Sequence, residues 1–163
     1  MMRHAWLAIA SLGAVIVLGA GAMTADKKDK KADPKVELVM EMVEAWNTQD
    51  WAKVVDLFAD DGSLHSMMVD PIVGKAALTA RITHIGEGID EITLNVRNIG
   101  VVGEVVFIER VDEFVYNGHA GSVPVVGVIE IENGEIKEWR EYYDRAELLE
   151  AMGVKTDFDS DAR

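Results

Sequence analysis

Two Asn-Gly pairs, Asn117-Gly118 and Asn133-Gly134, divide the C-terminal half of this chain into segments rich in β-branched and aromatic residues. Asn-Gly between such segments is the strongest short hairpin signal, because both residues tolerate the positive φ that a two-residue turn requires. The pairs predict a meander of four strands, Ile92–Ile99, Val105–Tyr116, Ser122–Glu132 and Glu135–Tyr143. The chain ahead of them has helical spacing instead. Asp33-Pro34 is a capping side chain followed by a proline where no amide hydrogen is needed, and Val36, Val39, Met40, Val43 and Trp46 then form one apolar face.

A second helix is expected over Trp51–Ala59, a turn at Asp60-Asp61-Gly62, an extended stretch over Ser63–Val69 and a break at Pro71–Gly74. A third helix follows over Lys75–Ile85, and a short one, Arg145–Met152, closes the domain before Gly153. Helices segregated from a mostly antiparallel sheet define the α+β class. A sheet that curls around its N-terminal helices encloses an apolar pocket, the usual seat of a ligand. With 163 residues and no visible internal repeat, the chain has room for one such domain, expected over residues 34–153.

The first 25 residues read differently. A short basic start, Arg3-His4, precedes the apolar run Ala5–Ala22, which ends in small residues. This is the pattern of a secretory signal cleaved near Ala22, which would export the protein to the periplasm or medium. Retained, the run of 5–22 is near the lower limit for a membrane anchor. Residues 26–33 form a charged linker and 154–163 a polar tail. Sixteen Lys and Arg against 29 Asp and Glu give a net charge of −13, which repels phosphate backbones and argues against nucleic acid as a partner. With no cysteine, thiol nucleophiles and thiolate metal sites are excluded. His65, His84 and His119 show no metal-ligand spacing, so no metal is expected. No Walker loop, dinucleotide fingerprint or nucleophile elbow occurs, and no cofactor is expected.

The chemistry-bearing signal is on the strand Val105–Tyr116. A period of two places Val106, Ile108, Arg110, Asp112 and Phe114 on one face, the better candidate for the interior. Charges on such a face are costly unless paired, and Arg110 and Asp112 are spaced to pair with each other. Asp144 ends the last strand, where Asp144-Arg-Ala-Glu147 also fits a helix N-cap. Met40, Met42, Met67 and Met68 suit the core, and Met67 equally suits an adaptable pocket wall beside Phe114.

Glu109-Arg110-Val111-Asp112, Gly127-Val128 before an acidic turn, and Trp139-Arg140-Glu141-Tyr142-Tyr143-Asp144 together resemble the limonene-1,2-epoxide hydrolase family. The resemblance runs over most of residues 36–152. It implies the cone-shaped α+β fold of nuclear transport factor 2, ketosteroid isomerase and the polyketide cyclases, and a homodimer that opens a small lipophilic epoxide with water. It implies Asp144 as the base that activates water, Asp112 as the acid that protonates the epoxide oxygen, and Arg110 as the bridge between them. Two carboxylates around one guanidinium in an apolar pocket favour sharing one proton, which provides one acid and one base. The tyrosine and asparagine that hold water in the family fall here on Leu64 and Ser66, which leaves Ser66, with Tyr142 or Tyr143, to hold the water and Leu64 to line the pocket. Alternatives are a same-fold isomerase or cyclase, and a non-catalytic carrier of a lipophilic molecule.

Overall fold

The computed structural model describes residues 32–155. The expected signal or anchor segment, the linker up to residue 31 and the tail beyond Lys155 lie outside the described residues. Helix α1 (Pro34–Asn47) starts where expected: the Asp33 side chain accepts a hydrogen bond from the Lys35 amide and proline occupies the first turn. Helix α2 (Trp51–Asp56) is capped by Asp50 and is shorter than the helix expected over Trp51–Ala59. The chain becomes extended at once, in β1 (Phe58–Ser66), so Asp60-Asp61-Gly62 is not a turn but an irregular part of a strand. The register of β1 slips between Phe58 and Ser63, a bulge that accommodates the exposed acidic pair.

A two-residue strand β2 (Ile72–Val73) folds back on β1, and helix α3 (Lys75–Gly88) follows. The meander then runs as β3 (Ile89–Val102), β4 (Val105–Tyr116), β5 (His119–Glu132) and β6 (Glu135–Tyr142), before a last helix α4 (Arg145–Ala151). Both Asn-Gly turns adopt positive φ at each residue, 46° and 78° at Asn117-Gly118 and 51° and 83° at Asn133-Gly134, as the two-residue hairpin demands. Strand order is β2-β1-β6-β5-β4-β3, all antiparallel except the β1–β6 pair. The expected α+β class and curved, mostly antiparallel sheet are thus present.

The inner face of the sheet receives the helices. Val39, Met42 and Val43 of α1, Val54 of α2, and Leu78 and Ile82 of α3 bury against Val106, Ile108, Ile129, Ile136 and Trp139. A smaller cluster of Phe114, Val123, Val125 and Met152 lies under α4. Each fully buried Val, Leu or Ile contributes about 1.5–3 kcal/mol, so these two clusters, rather than surface ion pairs, hold the sheet to the helices. Between the two clusters the inner face carries charged side chains.

Candidate active site

Strand β4 delivers its side chains as period two requires: Val106, Ile108 and Phe114 point inward, and so do Arg110 and Asp112. Arg110 retains 3% of its exposure, the one charged side chain buried to this degree among the described residues. Its Nε donates to Asp112 Oδ1 at 2.8 Å, and its Nη2 donates to Glu141 Oε1. The guanidinium carbon lies 5.7 Å from the ring centre of Trp139, whose indole Nε1 donates to the same Glu141 Oε1 at 3.0 Å. A buried cation is tolerated when carboxylates and hydrogen bonds compensate it, and here two carboxylates and an aromatic face do so.

The second carboxylate of this cluster is therefore Glu141 and not Asp144. Asp144 is exposed at the start of α4, where its Oδ1 accepts from the Glu147 amide at 3.1 Å. Its helix-capping role is realised. The pairing expected of it falls to a residue three positions earlier, because β6 ends at Tyr142 and the chain turns into α4 before Asp144 reaches the inner face. The signal that points to Glu141 is its place two residues after Trp139, on the same side of the strand. Counting from Ile136 conceals it, since the register shifts between Glu130 and Ile131 and both Ile136 and Trp139 point inward.

A cavity of about 150 Å³ opens over this cluster. Arg110, Asp112, Glu141, Ser66 and Tyr143 belong to its polar lining, to which Asp70 and Arg81 also contribute, and the walls are mostly apolar, among them Trp46, Phe58, Leu64, Phe114 and Met152. Leu64, Ser66 and Phe114 line this cavity. Tyr142 does not: it faces outward with 44% of its surface exposed, since it alternates with the inward Glu141 and Tyr143. Met67 also lies outside this cavity, on the exposed turn after β1. The inward tyrosine is Tyr143, whose hydroxyl is 2.9 Å from Ser66 Oγ and accepts from Arg145 Nη1 at 3.3 Å. Among the described residues no cluster of three His, Asp or Glu side chains is arranged to hold a metal.

The electrostatics separate the groups. Burial raises the Asp112 pKa to about 6 against the opposing pull of the Arg110 guanidinium, so this carboxyl holds its proton well into the range where ordinary aspartates have lost it. Burial works to lower the Arg110 pKa, but Glu141 and Asp112 outweigh it and the net shift is upward, so the guanidinium remains charged. Burial also raises the Tyr143 pKa, with the Ser66 hydrogen bond opposing it. The arrangement can hold a neutral acid and an ionised carboxylate on either side of one fixed cation, which is what concerted proton delivery and removal require.

A curved sheet folded over N-terminal helices, with charged side chains at the bottom of an apolar cavity, defines the nuclear transport factor 2-like class of α+β domains. Residues 39–139 match the model of the SnoaL-like domain, and the chain belongs to that family. Among solved structures it is similar to an epoxide hydrolase of M. tuberculosis described as limonene-epoxide-hydrolase-like, at 21% identity and a TM-score of 0.65 over 73% of this chain and 89% of that one. It is also similar to an NTF2-like protein of unknown function from Burkholderia pseudomallei, at 21% identity and a TM-score of 0.68, covering 76% of this chain and 100% of that one. A putative polyketide cyclase from Xanthomonas campestris pv. campestris matches at 22% identity and a TM-score of 0.64, over 73% and 96% of the two chains. At these identities the likeness concerns the fold.

Proposed function

We propose that the protein is a cofactor-independent epoxide hydrolase acting on a small lipophilic epoxide. The observation that carries this reading is Arg110, held between a carboxyl with its pKa raised to about 6, Asp112, and a second carboxylate, Glu141, in an apolar cavity. Asp112 donates its proton to the epoxide oxygen as the C–O bond breaks. Glu141 takes a proton from water as the water oxygen bonds to the epoxide carbon. One epoxide and one water become one vicinal diol, and the proton gained by Glu141 replaces the one lost by Asp112 before the next turnover. Arg110 keeps the two carboxyl groups apart in role, since one guanidinium neutralises one anion and leaves the other group protonated. Each proton transfer is worth about 10²–10⁴-fold in rate. The mostly apolar walls suit a hydrocarbon substituent.

The test is a single turnover of the full chain in ¹⁸O-labelled water with terpene, styrene and cyclohexene epoxides. Label in the diol formed on the first turnover, abolished in Glu141→Gln, is the expected result. Unlabelled diol on the first turnover would reveal a covalent ester intermediate and overturn direct attack by water.

A second reading is an isomerase or cyclase in which Glu141 removes a proton beside a carbonyl. The hydroxyls of Ser66 and Tyr143 in the same cavity favour it, as donors to the developing enolate oxygen. Deuterium exchange from D₂O into a cyclic ketone, without diol from any epoxide, would select it.

A further inference from the structure

Resting on the hydrolase reading and adding to it, we infer that the substrate carries a carboxylate at the far end of its hydrocarbon body, and that Arg81 receives it. Besides Arg110, Asp112 and Glu141, the charged residues on the cavity are Asp70 and Arg81. Arg81 belongs to α3, where Leu78, Arg81, Ile82 and Ile85 follow the i, i+3, i+4, i+7 spacing of a helix face turned to a core. Leu78 and Ile82 are buried, and Arg81, Ile82 and Ile85 line the cavity. An arginine thus occupies a place on this stripe that suits an apolar residue, although its neighbour Ala80 faces solvent. A cation on an apolar wall is costly unless an anion or other acceptor meets it there.

The two arginines of the cavity differ in setting. Arg110 stands on the sheet between two carboxyl groups, whereas Arg81 comes from the helical wall. In the productive form, with Asp112 protonated, Arg110 and Glu141 cancel, and the remaining charges of the lining are Arg81 and Asp70. Asp70 is exposed in the connection between β1 and β2, where water and salt screen it, while Arg81 is half-buried. The attraction of Arg81 for an anion in the cavity therefore outweighs the repulsion from Asp70. A guanidinium has five N–H donors, more than one partner takes up, so a ligand carboxylate finds donors whatever else this side chain touches. Its planar fork meets both carboxylate oxygens side by side. Ile85, Leu148 and Met152 on the same cavity suit the hydrocarbon that joins the two ends of such a substrate. A carboxylate fixed on the helical wall orients the epoxide toward the sheet. Arg81 is thus a residue of specificity and takes no part in the proton transfers.

Two ligand pairs test this on the full chain. The first needs no turnover: the affinities for nonanoate and nonanamide, which share a chain length and differ in charge, are measured by calorimetry. A carboxylate gives up more hydration than an amide on entering an apolar cavity, so tighter binding of nonanoate requires a cation. The wild type should favour nonanoate by about tenfold, Arg81→Gln should lose that preference, and Arg81→Lys should keep part of it. Each preference is a ratio within one protein, so a general loosening of the cavity cancels. Equal affinities in the wild type overturn the inference without any variant. A preference that survives Arg81→Gln also overturns it, since the carboxylate then binds elsewhere. The second pair is the same acid and amide with an epoxide at the chain end. The kcat/KM ratio of acid to amide should fall by about tenfold in Arg81→Gln. Diol formed from both with equal kcat/KM in the wild type would leave the hydrolase reading standing and remove the inference. A nonanoate preference lost in Arg81→Gln, in a protein that forms no diol from either epoxide, would leave the carboxylate site standing and remove the hydrolase reading.

Discussion

Gly127 of β5 stands opposite Glu141 of β6, and its missing side chain is the opening through which Arg110 reaches that carboxylate. Arg110 belongs to β4 and Glu141 to β6, with β5 between them. A Cβ at position 127 would lie 3.3 Å from Arg110 Nη1 and 2.8 Å from Ile108 Cγ2. Any other residue would stand in the path of the guanidinium. Gly127→Ala is therefore expected to displace Ile108 and strain the Arg110–Glu141 contact, costing about 1–3 kcal/mol of stability. Gly127→Val should abolish turnover in a protein that remains folded. Urea denaturation and single-turnover assays of both variants check this.

Glu141 and Asp144 differ in what they serve, and their substitutions should separate cleanly. Glu141→Gln keeps the shape of the site but cannot take a proton, so turnover should fall by about 10²–10⁴-fold. Asp144→Ala removes the cap of α4. It should cost about 1 kcal/mol of stability while turnover stays within a few-fold of wild type. If Asp144→Ala alone abolished turnover, the assignment of Glu141 as base would be wrong.

The rate should depend on pH through Asp112. Its proton is present below about pH 6 and lost above it, so kcat/KM, which reports the free protein, should decline by about tenfold for each pH unit above that midpoint. Asp112→Asn, which has no proton to deliver, should show no such limb in whatever residual activity it retains. A pH–rate profile of the two proteins distinguishes these outcomes.

Stability should move in the opposite sense to the ordinary carboxylate case. The folded state raises the Asp112 pKa from 3.8 to about 6, so between those values the native protein holds a proton that the unfolded chain releases. Stability from this group therefore falls as pH rises from about 4 to 6 and is level above that. Asparagine carries no such penalty. The difference in unfolding free energy, Asp112→Asn minus wild type, should be near zero at pH 3.5 and rise to about 2–3 kcal/mol above pH 6.5. Urea titrations across that range measure it, and a flat difference would contradict the buried, protonated state.

Much of this architecture was legible before any coordinates. The Asn-Gly turns located the hairpins, and strict alternation along β4 identified Arg110 and Asp112 as inward charges. Those are local properties: turn chemistry and a two-residue period act over a few neighbouring residues and need no tertiary information. β6 is different. A register shift brings both Ile136 and Trp139 inward, so counting along the strand does not reveal which of Arg140, Glu141 and Tyr142 faces the cavity. The strand's end at Tyr142 decided that Asp144 caps a helix, and the same alternation made Tyr143 the inward tyrosine.

The sequence by itself determined the main helices and the four-strand meander after them, though not the start of β1 or the short β2, and it determined the presence of a buried guanidinium with one carboxyl partner two residues away. Those follow from hydrophobic period, propensity and short-range capping. Tertiary structure decided the second partner, because Glu141 lies 31 residues from Arg110 and meets it through the gap at Gly127. It also decided that Ser66 and Tyr143, 77 residues apart, share a hydrogen bond. Such contacts depend on strand order and register across the sheet, which are set by the packing of the whole domain and not by any local stretch of chain.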